Sequence, residues 1–211
     1  MKEYLYTDVP NKNDERIDYL LNLLHFSQKE LSLISSLYNK LINIKYTTYK
    51  FILYIEPEAT PRPRYSKRFH TFYVAGSKDN GKFFKEIMKI LNDLPVIITP
   101  TKINIETYLP MPKNMTRIEK YFAELKLISA IGNPDWDNLA KTYCDMIQHG
   151  LLLNDNLIFS GKCEKYYSIK PRVEITISFA DDFDCKYNKN KIEKSKSYKD
   201  LFGGSNNGRI D

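Results

Sequence analysis

The chain has 211 residues, of which 42% are apolar and 27% are charged. This length and composition suit one folded domain with an appendage, and they exclude a chain that is disordered as a whole. No run approaches the roughly 20 apolar residues that span a bilayer, and the charged segment before Asp18 lacks the apolar core of a signal peptide. We therefore predict a cytoplasmic protein without a membrane segment.

The formal net charge of +6 arises from one part of the chain. The segment Thr60–Ile90 contains eight basic and two acidic residues, whereas basic and acidic residues balance elsewhere. A local excess of this kind indicates a surface for a polyanion, with a solvated basic face as the alternative. The candidate phosphate-binding side chains are Arg62, Arg64, Lys67, Arg68, Lys78, Lys82 and Lys85.

Cysteine and histidine spacing argues against a structural zinc site. Cys144, Cys163 and Cys185 form no C-x-x-C pair, and the three histidines are scattered. A structural zinc site needs four clustered ligands. We predict three reduced thiols.

The first predicted elements are two helices between Asp14 and Ile44. Apolar residues recur there at helical spacing, and Ser27 with Glu30 fits a capping box at the start of the second helix. We predict a helical hairpin, assigned to residues 1–46, whose simplest role is to cover the core. The alternatives are binding of a partner protein or extension of a subunit interface.

The remaining elements predict an α/β fold with a small mixed sheet packed with helices. Residues 47–180 form its main domain, and the polar segment 181–211 is expected to be largely disordered. The predicted elements are a strand at Tyr49–Ile55, a basic loop broken by prolines up to Arg64, a helix at Ser77–Leu91, a strand at Lys102–Leu109, a helix at Met115–Ile128, and a strand pair, Leu157–Ile169 with Arg172–Phe179, joined at Lys170–Pro171.

The segment Asn133–Asp145, NPDWDNLAKTYCD, carries the most chemistry. Pro134 favours an extended backbone before a helix that Asp137 or Asn138 would cap and that would end at Gly150. In an extended stretch, Asp135 and Asp137 would point the same way. Along the helix, Lys141 follows Asp137 by one turn on the charged side, as an i,i+4 ion pair, and Asp145 follows Lys141, while the apolar side docks on the sheet.

A second acidic point, Asp155, follows the run Leu151–Leu153. Paired carboxylates beside a lysine suit a magnesium ion that polarises a phosphodiester, because magnesium prefers oxygen ligands. The alternative is structural: Asp135 and Asp137 as a cap and an exposed acidic pair, Asp155 as a turn former, and Trp136 with Tyr143 as core residues.

A family resemblance emerges from three strings taken together. PDWDNLAK with Asp145, LLLNDNLI from Leu151, and KCEKYYSIKPRVEITI from Lys162 resemble the RusA family of phage-type Holliday-junction resolvases. Upstream, PRPRY from Pro61 and LPMP from Leu109 resemble that family as well. The similarity covers about residues 49–179 and leaves out the hairpin and the polar tail.

The resemblance implies a RusA-like, homodimeric endonuclease that needs Mg²⁺, with Mn²⁺ as a substitute, and cuts four-way DNA junctions by paired incisions. Asp135, Asp137 and Asp155 would be the catalytic, metal-binding carboxylates, and Lys141 the catalytic lysine; Asp145 would support them. Where the family often has two consecutive acids, this chain has Asn154 and Asp155. A dimer would match the near two-fold symmetry of the junction.

Two other functions fit the same residues. One is a broader structure-specific nuclease for flaps, forks or RNA that uses the same magnesium site. The other is a branched-DNA-binding protein whose nuclease site is degenerate, which Asn154 makes plausible. Retention of Asp135, Asp137, Lys141 and Asp155 together favours an active nuclease.

Overall fold

A computed structural model describes residues 13–59, 63–66, 71–74, 94–182 and 185–202. The chain forms two compact units, Met1–Ile44 and Lys45–Asp211. The predicted helix at Ser77–Leu91 lies outside the described residues. Within the described part, no helix is both long enough and apolar enough to cross a membrane.

The N-terminal unit contains helices α1 (Asn13–Leu24) and α2 (Gln28–Ile42). The predicted capping box is confirmed: the Glu30 amide donates to Ser27 Oγ at 3.4 Å, and the Ser27 amide donates to Glu30 Oε2 at 2.8 Å. Both bonds satisfy amides that the helix itself leaves without acceptors. Most of the apolar side chains at helical spacing, which were expected to cover a core, are exposed, including Leu24 and Leu41.

The second unit is built on a four-stranded mixed sheet, as predicted. Its strands, β1 (Tyr46–Leu53), β4 (Thr101–Pro110), β5 (Ile158–Ser168) and β6 (Arg172–Ala180), lie in the order β1-β6-β4-β5. β4 and β5 are parallel, and the other two pairs are antiparallel. A separate antiparallel pair consists of β2 (Pro63–Ser66) and β3 (Thr71–Val74). β1 and β5 are therefore the edges of the main sheet.

The predicted pairing of the last two strands is wrong. β4 lies between β5 and β6 and forms hydrogen bonds with both of them. The three residues from Ile169 to Pro171 link β5 to β6 across the end of β4. A short connector favours a hairpin but does not require one, because the neighbour of each strand is fixed by tertiary packing.

The core lies between one face of the sheet and the long helix α4 (Trp136–Gly150), which follows α3 (Arg117–Glu124). Ile105 on β4 and Ile175 on β6 are buried against a cluster that includes three residues of α4, Leu139, Tyr143 and Ile147. Their spacing of four residues is the helical period, so the predicted apolar side of this helix is confirmed.

The opposite face of the sheet carries a network of paired charges. Glu174 forms ion pairs with Lys50 at 3.0 Å and with Arg172 at 2.8 Å, and Glu106 pairs with Lys126 at 2.8 Å. Burial raises the pKa of the Glu174 carboxyl, but the hydrogen bonds from Arg172 and Lys50 outweigh burial and lower the pKa below its ordinary value. This face is thus polar although its charged groups are only partly exposed.

The C-terminal segment differs from the expected disordered tail. It forms α5 (Lys186–Glu193) and α6 (Lys196–Phe202), and residues 203–211 lie outside the described part. Ile192 and Tyr198 pack against the core, and the Tyr198 amide donates to Ser195 Oγ at 3.2 Å. The segment is polar on average, so composition indicated disorder; two apolar side chains that reach the core favour order instead.

Candidate active site

The first turn of α4 presents the acidic motif. Asp135 is the N-cap residue, with an extended backbone, and its carbonyl accepts a hydrogen bond from the Leu139 amide at 3.1 Å. The helix therefore begins before Asp137, which lies in its first turn. The prediction that Asp137 or Asn138 caps the helix is wrong, and so is the extended geometry that would have pointed both carboxylates the same way. An acidic residue at a helix N-terminus is favoured by the helix dipole.

The charged side of α4 faces solvent, as predicted. Asp135, Asp137 and Lys141 are exposed, and Asp145 is half-buried. The expected ion pair between Asp137 and Lys141 is wrong: in the described part of the chain, Lys141 takes part in no ion pair. Pairs of this kind between exposed side chains are worth only about 0.5 kcal/mol, so hydration competes with them. The Lys141 ammonium is thus accessible to a ligand.

Side chains of β5 hold the loop that leads into α4. Lys165 Nζ donates to the carbonyls of Gly132 at 2.8 Å and Pro134 at 3.0 Å, and the Tyr167 hydroxyl donates to the Ile131 carbonyl at 3.1 Å. These bonds fix the backbone directly before Asp135. Neither residue was predicted to belong to the site, although their i,i+2 spacing on one strand indicates a shared side.

Trp136 is anchored at one end and exposed over the rest. Its indole Nε1 donates to the Cys163 carbonyl on β5 at 2.6 Å, and 54% of its surface is exposed. Its assignment as a core residue is therefore wrong, because the ring lies at the edge of the sheet. Tyr143 is buried, as that alternative expected.

Asp155, the second acidic point of the sequence, lies near α4 because the preceding segment pairs with a distant part of the chain. Leu151–Leu153 is buried and bridges Ile97, whose amide donates to the Leu151 carbonyl at 2.7 Å and whose carbonyl accepts from the Leu153 amide at 3.0 Å. A 3₁₀ turn (Asp155–Leu157) follows and contacts α4. Asn154 caps this turn, because its Oδ1 accepts from the Asn156 amide at 3.0 Å, and Asp155 is exposed.

The pKa of the Cys144 thiol reflects its burial and two nearby acidic side chains, Asp145 and Asp155. Burial raises the pKa of the Cys144 thiol to about 11, and the negative charges of Asp145 and Asp155 add to the rise. Asp155 therefore lies near the half-buried side of α4, and Cys144 stays protonated at neutral pH. None of the three cysteines is in a disulfide, as predicted.

The acidic residues do not form a preassembled metal cluster. Within the described residues, no three His, Cys, Asp or Glu side chains lie close enough together to hold a metal ion. The exposed carboxylates of Asp135, Asp137 and Asp155 nevertheless have the oxygen chemistry that magnesium requires. Magnesium commonly binds one or two carboxylates and completes its shell with substrate phosphate and water, so these residues fit such an ion chemically.

The predicted basic surface lies mostly outside the described residues. The backbone of Arg64 is on β2, opposite Tyr73 on β3. The other candidates belong to the segments that the structure does not describe: Arg62, Lys67, Arg68, Lys78, Lys82 and Lys85. Their role in phosphate binding stays a prediction.

Comparisons with known proteins match the segment that contains this site. A family model described as "Endodeoxyribonuclease RusA" matches residues 55–178. A protein of Bacillus subtilis (strain 168), "Uncharacterized protein YqaN", is 31% identical over 134 residues, which cover 61% of this chain and 94% of that protein. The family match contains all four proposed catalytic side chains, and it excludes α1, α2, α5 and α6.

Proposed function

Because this chain belongs to the RusA family of endodeoxyribonucleases, we propose that it resolves four-way DNA junctions by paired, symmetric hydrolysis of phosphodiester bonds with the help of magnesium. The observation that carries the proposal is the orientation of α4. One side of this helix is locked into the core through Leu139 and Tyr143, so Asp137 and Lys141 face solvent one turn apart.

Asp135, Asp137 and Asp155 would hold the magnesium ion, or manganese in its place. When bound, the ion supplies Lewis acidity to the scissile phosphate and lowers the pKa of a water molecule. The Asp155 turn is fixed by the pairing of Leu151 and Leu153 with Ile97, so this carboxylate is presented by an ordered element. Preorganised ligands reduce the free-energy cost of assembling a charged site.

Lys141 would stabilise the negative charge that develops on the phosphate in the transition state. Its ammonium is exposed and forms no ion pair with a described carboxylate, so no such pair has to break before it contacts DNA. Asp145, half-buried one turn further on, would act as a supporting residue. Lys165 and Tyr167 act through the backbone before Asp135 and are positioning residues.

A second copy of the chain would supply the second incision, since a two-fold axis places one site on each of two opposed strands. The support for a homodimer is an exposed apolar stripe on α3. Ala123 is buried and Glu124 accepts hydrogen bonds from Ser168 Oγ and the Ile169 amide, which fixes the helix so that its apolar side faces outward. The exposed apolar residues of this stripe and its surroundings are Ile118, Tyr121, Phe122, Leu125, Leu127, Ile131 and Ile169.

The composition of this patch suits a second copy. It combines aliphatic residues with two aromatic ones, Tyr121 and Phe122, and aromatic residues are enriched at the core of subunit interfaces. We expect Tyr121→Glu to yield a monomer in light scattering, while the exposed Tyr187 on α5 serves as the matched control. If Tyr121→Glu and Tyr187→Glu both stay dimeric, the interface lies elsewhere.

The test of the proposed function is cleavage of a labelled mobile four-way junction, compared with linear duplex, flap and fork, with and without magnesium. We expect symmetric paired nicks that Asp137→Asn slows by about 100-fold or more while junction binding is largely kept. Asp181→Asn, an exposed acid outside the family match, is the control.

Other outcomes would favour the other functions. Equal cleavage of flaps and forks would indicate a broader structure-specific nuclease. Tight junction binding without incision in magnesium or manganese would indicate a degenerate binder. Equal loss of binding and cleavage in a folded Asp137→Asn protein would contradict the catalytic assignment.

A further inference from the structure

A cavity of about 150 Å³ lies directly beside the turn that carries Asp155. The neighbours of Asp155 on both sides, Asn154 and Asn156, line it, and its opposite wall is formed by α5 through Asn188 and Lys191. α5 lies outside the segment that matches the family model. The cavity therefore joins the candidate active site to an element that this chain adds to the matched domain.

The lining of the cavity is apolar at its base and polar at its rim. Buried Leu153 and Leu157 line it together with three asparagine side chains, whose amides can donate and accept hydrogen bonds. Lys191 contributes an exposed ammonium that forms no ion pair with any described residue. No carboxylate is among the described residues of the wall. Such a lining favours a ligand with one negative charge and a polar edge.

An exposed aromatic ring completes the wall. Phe159, near the start of β5, lines the cavity and keeps 57% of its surface exposed. Lys102 Nζ lies 5.6 Å from the centroid of this ring, so a second cation is at the same place. An exposed ring beside cations is the arrangement on which proteins stack the bases of single strands.

The size of the cavity restricts its occupant. Sites for whole drug-sized ligands usually have about 300–1,000 Å³. This cavity, at about 150 Å³, has half the volume of the smallest of those sites. It therefore has room for part of a larger molecule, such as one planar base with its phosphate at the rim. A duplex does not enter such a space, so the occupant has to be unpaired.

We propose that this cavity binds one unpaired nucleotide of the DNA strand that is being cut, with its base on Phe159 and the asparagine amides and its phosphate on Lys191. The identity of the ligand rests on the proposed function, because Asp155 belongs to the site that would cleave DNA. A nucleotide held here would fix the register of the strand next to Asp155. Base pairs beside a branch point open at a lower free-energy cost than those within linear duplex, so the cavity would contribute to structure selectivity.

The experiment measures binding without divalent metal, so that it does not depend on cleavage. The probes are a fluorescein-labelled oligothymidylate of about 12 nucleotides, within the span of known single-strand sites, and a duplex of the same length. We expect Phe159→Leu to weaken oligothymidylate binding roughly 5- to 100-fold, the range that loss of one base stack produces, and Phe159→Trp to keep it. Duplex binding should change less than 2-fold in both variants.

Lys191 is tested by salt dependence. Lys191→Ala should reduce the slope of log affinity against log salt concentration by about 0.7 for the oligothymidylate, the value for one phosphate contact with a single strand. Lys194→Ala, an exposed lysine of the same segment that does not line the cavity, should leave the slope unchanged. Equal slopes in the two lysine variants, or wild-type affinity in Phe159→Leu, would overturn the proposal.

The outcomes separate this proposal from the proposed function. If the protein cuts no junction but Phe159→Leu still loses single-strand affinity, the cavity binds an unpaired nucleotide although the resolvase proposal fails. If junctions are cut and Phe159→Leu binds oligothymidylate like wild type, the cavity proposal fails alone.

Discussion

Helices α2 and α4 are both 15 residues long, and both carry apolar residues at helical spacing. In α4, Leu139 and Tyr143 are at most 1% exposed, whereas in α2, Leu37 and Leu41 are 43% and 45% exposed. Spacing therefore predicts that a helix forms and which side is apolar, but burial requires a complementary surface. The sheet provides that surface for α4, so α4 presents its acidic residues in a fixed orientation.

The largest expected effect is the loss of a buried leucine from α4. Leu139→Ala should lower the free energy of unfolding by about 3 kcal/mol or more, because it leaves a cavity in a packed core. Leu41→Ala, the same change on the exposed side of α2, should cost less than about 1 kcal/mol. Urea denaturation of both variants measures the difference, and similar losses would show that α2 is buried in solution as deeply as α4.

A smaller effect is expected where β5 holds the loop before Asp135. Lys165→Met removes hydrogen bonds to the Gly132 and Pro134 carbonyls. Hydrogen bonds from a charged group are worth about 1.5–3 kcal/mol, and without them the Asp135 carboxylate is held less firmly. We therefore expect junction cleavage to slow by about 10-fold or more. Single-turnover rates at saturating protein separate this loss from weaker binding. Lys162→Met is the control, since Lys162 pairs with Glu164 on the same strand. A loss of the same size in both variants would indicate a general charge effect.

On the polar face of the sheet, the ionised Glu174 carboxylate should add about 1 kcal/mol to the free energy of unfolding, and this contribution should depend on pH. Its folded-state pKa is lowered below 4.5, so its stabilisation is complete above pH 4.5 and is lost as the pH falls through the lower, folded-state pKa. We therefore expect Glu174→Gln to be less stable than wild type at pH 7 and the difference to shrink below pH 4.5. Urea unfolding at both pH values measures this; exposed Glu193 is the control position. A constant difference would mean that the charge does not matter.

The smallest effect should come from removing the N-terminal unit. Deletion of residues 1–44 should change the free energy of unfolding of the remaining unit by less than about 0.5 kcal/mol, because that unit is compact by itself. Calorimetry and junction affinity of the shortened chain test this. A large destabilisation would show that the hairpin buries its apolar side after all.

Local sequence signals predicted what depends on neighbours along the chain. The capping box at Ser27 and the buried side of α4 follow from spacing alone. The start of α4 was predicted too far along the chain. Three residues there are good cap residues, Asp135, Asp137 and Asn138, and only tertiary packing selects among them. The motif strings predicted the family, whose members are endodeoxyribonucleases, and the family match confirms it.

Long-range packing decided what the sequence could not show. The insertion of β4 between β5 and β6 depends on contacts between distant segments. The folding of the C-terminal segment into α5 and α6 depends on such contacts as well. The contacts of Lys165 and Tyr167 with the loop before Asp135 were missed for the same reason. The position of Asp155 near α4 required the bridge between Ile97 and Leu152.

The loop before α4 also lies against an edge of the main sheet. β5 is an edge strand, and an uncovered edge can template pairing with strands of other molecules. The Trp136 indole donates a hydrogen bond to the Cys163 carbonyl on this edge. The side chains of Lys165 and Tyr167 donate hydrogen bonds to carbonyls of the adjoining loop. The segment that presents Asp135 therefore also covers part of this edge. A substitution that frees the loop would both misplace the Asp135 carboxylate and leave the Cys163 carbonyl open to strand addition.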